Sequence, residues 1–159
     1  MKNYKTILAL VLALCLIISL AACAKKEAVP DTPAQKLYRA FQEEAKTETS
    51  PERIAEALLL EDWLPFAGVS MPVEPGELMG FTAPVTGFSE GAVFSPMIGA
   101  IPFIGYIFRL SEGQDAEAFI GSLQKSADLR WNVCTQAEEL VTGSVGRTVF
   151  FVMSPLEFE

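Results

Sequence analysis

Residue types that do chemistry are scarce in this chain, and the scarcity is informative. Its 159 residues include no histidine, three cysteines, and 20 acidic residues against 12 basic ones. Without imidazole, neither a Ser-His-Asp nor a Cys-His pair can activate a nucleophile. Most zinc and copper sites also lean on imidazole or paired thiolates, so no metal or other cofactor is expected. Gly143-Ser144-Val145-Gly146 lacks both the spacing and the lysine of a phosphate loop. Carboxylates remain. A glycosidase holds two of them about 5 to 10 Å apart in a cleft. Glu138 and Glu139 would face opposite ways on a strand, and the acids between Glu112 and Glu117 lack the alternation of a calcium loop.

The cysteines differ by position. Lys2 and Lys5 form a positive start, and Thr6 to Leu20 is an uncharged apolar run. That run is about 15 residues, short of the roughly 20 that span a bilayer as a helix. It ends in Leu20-Ala21-Ala22-Cys23, followed at once by Lys25, Lys26 and Glu27. A charged start, an apolar middle and small residues at the end make a secretory signal. Leu-Ala-Ala-Cys at that point looks like a bacterial lipobox, whose cysteine thiol takes a diacylglyceryl group and becomes the mature N-terminus. Two acyl chains hold a protein to a membrane where one holds it marginally, each buried methylene contributing about 0.8 kcal/mol. The expected organisation is a lipoprotein signal peptide over 1–22, a tether over 23–32 and one domain over 33–159. The expected address is the extracytoplasmic face of the cell membrane, with the membrane bound through the lipid on Cys23.

Composition bounds the rest. Half the residues are apolar and a tenth aromatic, which is too hydrophobic for a disordered chain. Loss of Lys2 and Lys5 leaves 10 basic residues against 20 acidic ones, so lipid rather than charge must provide the membrane attachment. The same balance excludes nucleic acid as a partner. Cys15 leaves with the signal and Cys23 is consumed, so Cys134 is left as a lone thiol, read as a small buried apolar residue.

The elements that must position any site follow from periodicity. Thr32-Pro33 with Gln35 reads as a helix start, and Leu37, Tyr38, Phe41 and Ala45 keep helical spacing, predicting a helix over 33–46. Ser50-Pro51-Glu52 repeats the signal for a helix over 51–60. Residues 65–80 are rich in proline and glycine and read as loop, with a short extended piece at Gly68–Val73. A strand is expected over Phe81–Ser89, weakened by Pro84 and Gly87. The apolar run Ala92–Leu110 is interrupted by Pro96, Gly99, Pro102 and Gly105, so it reads as two buried strands with a turn near Gly99-Ala100 rather than a membrane span. A helix over 115–127 carries Ala116, Phe119, Ile120 and Leu123 on one stripe. Trp131 and Val133 lead into an extended segment. Glu139–Ser144 and Arg147–Ser154 close as a hairpin about Gly146, and Leu156–Glu159 is a tail. The fold class is α+β: a two-layer sandwich of a mainly antiparallel four-stranded sheet with helices on one face, preceded by two N-terminal helices.

Candidate binding residues are Trp63, Met71, Arg130 and Trp131. A guanidinium beside an indole, as in Arg130-Trp131, can form a ligand-contact patch. The loop after Trp63 carries Phe66, Val69, Met71, Val73, Leu78 and Met79, which would make an apolar surface if exposed together and a lid if they cover the sheet.

Three stretches carry a family likeness: Asp115 to Ala118, Ala127-Asp128-Leu129-Arg130-Trp131, and Val145 to Met153. With the signal and lipobox, they resemble small lipoproteins of clostridia and other Gram-positive bacteria that carry a domain of unknown function. The likeness covers about the last 60 residues plus the signal. It implies a Gram-positive surface address and carries no activity with it. The expected function is a non-enzymatic binding or interaction module taking an envelope protein or a small ligand. The alternatives are a cell-envelope hydrolase using paired carboxylates and an accessory subunit of an envelope transporter complex.

Overall fold

The computed structural model describes residues 31–97 and 100–158. The expected signal, Cys23 and nearly all of the tether lie outside the described residues, as does part of the turn near Gly99-Ala100.

The described residues form three helices and five strands: α1 (Pro33–Glu44), α2 (Pro51–Leu59), β1 (Gly68–Val73), β2 (Phe88–Pro96), β3 (Ile104–Leu110), α3 (Ala116–Ser126), β4 (Glu139–Val145) and β5 (Thr148–Ser154). Each helix starts where a side-chain oxygen takes up an otherwise unpaired backbone N–H. Thr32 Oγ1 accepts from Gln35 N at 3.4 Å, Ser50 Oγ from Arg53 N at 3.5 Å, and Asp115 Oδ1 from Ala118 N at 2.7 Å. Proline occupies the first turn of α1 and α2, as the sequence predicts. In the turn between them the Glu48 carboxylate accepts from Ser50 N and Thr49 N, and both bonds lower its pKa.

The strands form one antiparallel sheet in the order β1-β2-β3-β5-β4. The expected α+β antiparallel architecture is therefore present, but with five strands rather than four. The extra strand is Gly68–Val73, which pairs along β2 from Gly68–Pro96 to Val73–Gly91. Pro72 is tolerated because β1 lies at the sheet edge. The strand expected over Phe81–Ser89 is mostly loop, held by bridges from Gly76 to Val85 and from Phe81 to Ala127; β2 begins only at Phe88. A register shift between Phe88 and Glu90 leaves Ser89 as a bulge residue opposite Arg109 and Leu110. β4 and β5 join through Gly146-Arg147, with Gly146 at φ 57°, the left-handed conformation a two-residue hairpin turn needs.

Helices cover both faces of the sheet, which corrects the two-layer expectation. On one face α1 and α2 pack Leu37, Phe41, Ile54 and Leu58 against Phe94, Ile107, Phe150 and Val152. On the other, α3 packs Phe119 and Leu123 against Tyr106, Phe108, Val149 and Phe151, joined by Phe81, Val85 and Trp131 from loops. The physical reason is visible in β5, where every residue from Thr148 to Ser154 is buried. A strand apolar on both sides needs a cover on both sides. Among the described residues no helix is long and apolar enough to cross a membrane; the run Ala92–Leu110 holds the end of β2, where Ala92 and Phe94 are buried and Val93, Ser95 and Pro96 half-buried, and the nearly fully buried β3.

Candidate functional site

Three chain segments meet at the end of the sheet where β3 and β4 begin and β5 ends. Ile101-Pro102 enters β3; Phe103 N donates back to Ile101 O at 2.8 Å, a tight turn centred on Pro102. Thr135 to Glu138 enters β4, with Glu138 N bonded to Ser154 O at 2.9 Å. The residues after β5 do not trail away as the expected tail. Leu156 N donates to Glu138 Oε2 at 3.1 Å. That bond turns the chain so that Phe158 packs edge-on against Phe66, with ring centres 5.5 Å apart, and against Phe103 at 6.1 Å.

An open cleft of about 530 Å³ lies between these segments. Its walls are Pro65, Ile101, Pro102, Pro155 and Phe158, and its polar groups come from Thr135, Gln136, Glu138 and Glu157. The size falls in the range of small-molecule sites, about 300 to 1,000 Å³, and so does the combination of an apolar lining with a few polar groups. Glu138 and Glu157 are both exposed to solvent at the rim. Thr135 Oγ1 is buried without a hydrogen-bond partner among the described residues, as is Glu139 Oε2 at the start of β4.

The structure does not bring the sequence-predicted binding residues together. Trp63 packs on the face covered by α1 and α2; its Nε1 donates to Glu61 Oε2 at 2.9 Å, and Lys36 Nζ sits 5.4 Å from its ring centre. Trp131 packs on the opposite face. Met71 lies on the edge strand β1 and is 52% exposed. Arg130 is exposed beside Trp131, in a turn where Asp128 Oδ1 accepts its backbone N–H. The sheet itself separates the two indoles, so Trp63, Met71, Arg130 and Trp131 form no single surface. The loop expected to present one apolar patch is likewise divided. Phe66 enters one core and Val73 and Leu78 the other, leaving Met71 and Met79 outside.

Cys134 corrects its expectation too: it is exposed. Ala137 N closes onto Leu129 O at 2.9 Å, and Val133 and Cys134 ride at the tip of the loop so formed. The extended segment expected around Trp131 and Val133 is part of this turn-rich loop. Among the described residues no three of His, Cys, Asp and Glu gather as a metal-holding group.

The residues that line the cleft are legible in the sequence only in fragments. Glu138 stands out there as a carboxylate, whereas Phe158 and Glu157 read as tail. An aromatic residue set between two glutamates, Glu157 and Glu159, is the available signal. No family model, curated protein or solved structure matches this chain.

Proposed function

We propose that this chain is a lipid-anchored extracytoplasmic binding module that takes a small ligand in the cleft between Pro65, Pro102 and Phe158. The cleft carries the binding reading: a concavity of small-molecule size, apolar in its walls, with polar groups at its rim. The anchored address rests on Leu20-Ala21-Ala22-Cys23 at the end of a short apolar run. Intact-mass analysis of the membrane-extracted protein tests the address, with a lipidated chain beginning at Cys23 as the expected result. Cys23→Ala should release the protein from the membrane fraction. An unmodified chain beginning at Met1 would overturn this reading. Gln136→Trp, which fills the cleft from an exposed position, tests the binding half. It should abolish the contacts that small aromatic compounds make in saturation-transfer NMR while leaving the fold unchanged.

One observation favours a second reading. Glu138 and Glu157 line the same cleft, and a carboxylate hydrolase works with two carboxylates in one cleft. Hydrolysis of purified cell-wall polysaccharide that Glu138→Gln and Glu157→Gln each abolish would move the assignment to that class.

A further inference from the structure

We infer that the cleft selects an organic cation, an ammonium group carried on a compact apolar body. The inference rests on the binding reading above and deepens it.

The charge of the lining is one-signed. Glu138 and Glu157 are its charged residues, and no lysine or arginine lies among the residues that form it. The basic residues of the helical face are engaged with acids elsewhere. Lys36 and Arg39 pair with Asp31, Lys46 with Glu43 at 2.6 Å, and Arg53 with Glu48 at 4.0 Å. Neither Glu138 nor Glu157 takes part in an ion pair among the described residues. Leu156 N engages only one oxygen of Glu138, Oε2, so the carboxylate keeps acceptor capacity toward the cleft. An anionic ligand would meet two carboxylates and no positive partner. A neutral apolar ligand would leave the rim unused.

The walls set the rest of the ligand. Pro65, Ile101, Pro102 and Pro155 offer rigid apolar surface, and Phe158 adds an aromatic ring held in place by Phe66 and Phe103. Proline lining costs little ordering entropy on binding. A cation near a phenyl ring gains further from the ring quadrupole. The acidic excess of the whole chain, formal charge −8, works in the same direction by concentrating cations near the surface.

The test uses the full mature chain in phosphatidylcholine nanodiscs, with empty nanodiscs to subtract partitioning. Three probes share one apolar body: 2-phenylethylammonium, the neutral 2-phenylethanol and the anionic 3-phenylpropionate. The ammonium should bind about two- to fivefold more tightly than the alcohol, the range that a solvent-exposed charge contact carries, and the carboxylate should bind more weakly than either. Glu138→Gln combined with Glu157→Gln should erase that preference with the melting temperature unchanged, because an amide oxygen at position 138 can still accept the Leu156 N–H. Equal binding of ammonium and alcohol, displaced by Gln136→Trp, would overturn the cation inference and leave the binding reading standing. Failure of all three probes to bind the cleft would overturn both.

Discussion

The ring of Phe94 occupies the space that Gly105, its cross-strand partner on β3, leaves by having no side chain. A Cβ on Gly105 would overlap that ring directly. Glycine weakens a strand on its own account, so its place in a buried central strand has to be returned through packing. Here a neighbouring aromatic covers it, and Phe94 in turn touches Phe103, with ring centres 5.8 Å apart. Gly105→Ala should therefore destabilise the protein by about 1 to 3 kcal/mol, the range for an extra methyl in a packed core. Urea unfolding would show it as a lower midpoint at unchanged slope. A midpoint equal to that of the parent chain would mean that Phe94 swings clear at no cost.

A second glycine serves the opposite flank of the same face. Tyr38 of α1 lies against Gly143 of β4, where a Cβ would overlap the phenol ring, and its ring sits 5.5 Å from that of Phe150. This is the contact by which α1 comes close to the sheet edge. Gly143→Ala and Tyr38→Ala should each destabilise, and the double variant should lose less than their sum. A double-mutant cycle should return a coupling of about 0.5 to 3 kcal/mol. Additive losses would sink the idea that the glycine exists for the tyrosine.

Tyr106 ties the loop before β2 to the sheet. Its ring is buried and its hydroxyl donates to Met79 O at 2.8 Å. Burial pushes the phenol well above its usual range. The folded chain thus keeps a proton that the unfolded chain sheds near pH 10, and stability from this group is full below that point and falls as pH rises beyond it. Tyr106→Phe should cost about 1 kcal/mol near neutral pH, because Met79 O loses its donor. The gap between parent and variant should narrow between about pH 8 and about pH 11 as the alkaline slope of Tyr106 is removed. A gap independent of pH would show that the phenol does not titrate against folding.

Thr135 makes the reverse case. Its Oγ1 is buried without a partner among the described residues, so the hydroxyl is a desolvation cost rather than a bond. Thr135→Val keeps the shape and removes that cost, and should raise stability by about 1 kcal/mol in thermal unfolding. A loss of stability would reveal a bridging water held by the hydroxyl.

How much of this is open to a reader of the sequence depends on whether the signal is local. Thr32-Pro33, Ser50-Pro51 and Asp115 announce three helices because a cap acts within one turn of itself. Gly146 announces the closing hairpin for the same reason. The fifth strand is harder, since Gly68–Val73 contains Pro72 and becomes a strand only by pairing with β2. The number of layers is written in β5, apolar without alternation, a signal stronger than the helix order that suggests a single covered face. The cleft is least legible. Its walls come from Pro65, Pro102, Thr135 and Phe158, residues far apart in the chain that meet only because β3, β4 and β5 share an end. Trp63 and Trp131 come to lie on opposite faces for the matching reason: similar neighbours in sequence say nothing about which side of a sheet a side chain will occupy.

The strand order has a kinetic consequence. β1, β2 and β3 are joined as successive antiparallel neighbours, and β4 and β5 as a tight hairpin, so each group can assemble from nearby chain. The seam that unites them is β3 against β5, from Arg109–Thr148 to Ile104–Met153, and α3 lies within the intervening chain. Closing that seam must meet the largest loop-closure entropy before its contacts reward it. Substitutions in Ile107 and Phe150, which face each other across it, should therefore slow folding. The two halves of the sheet would then be early and separable, and their meeting the slow event in the life of the chain.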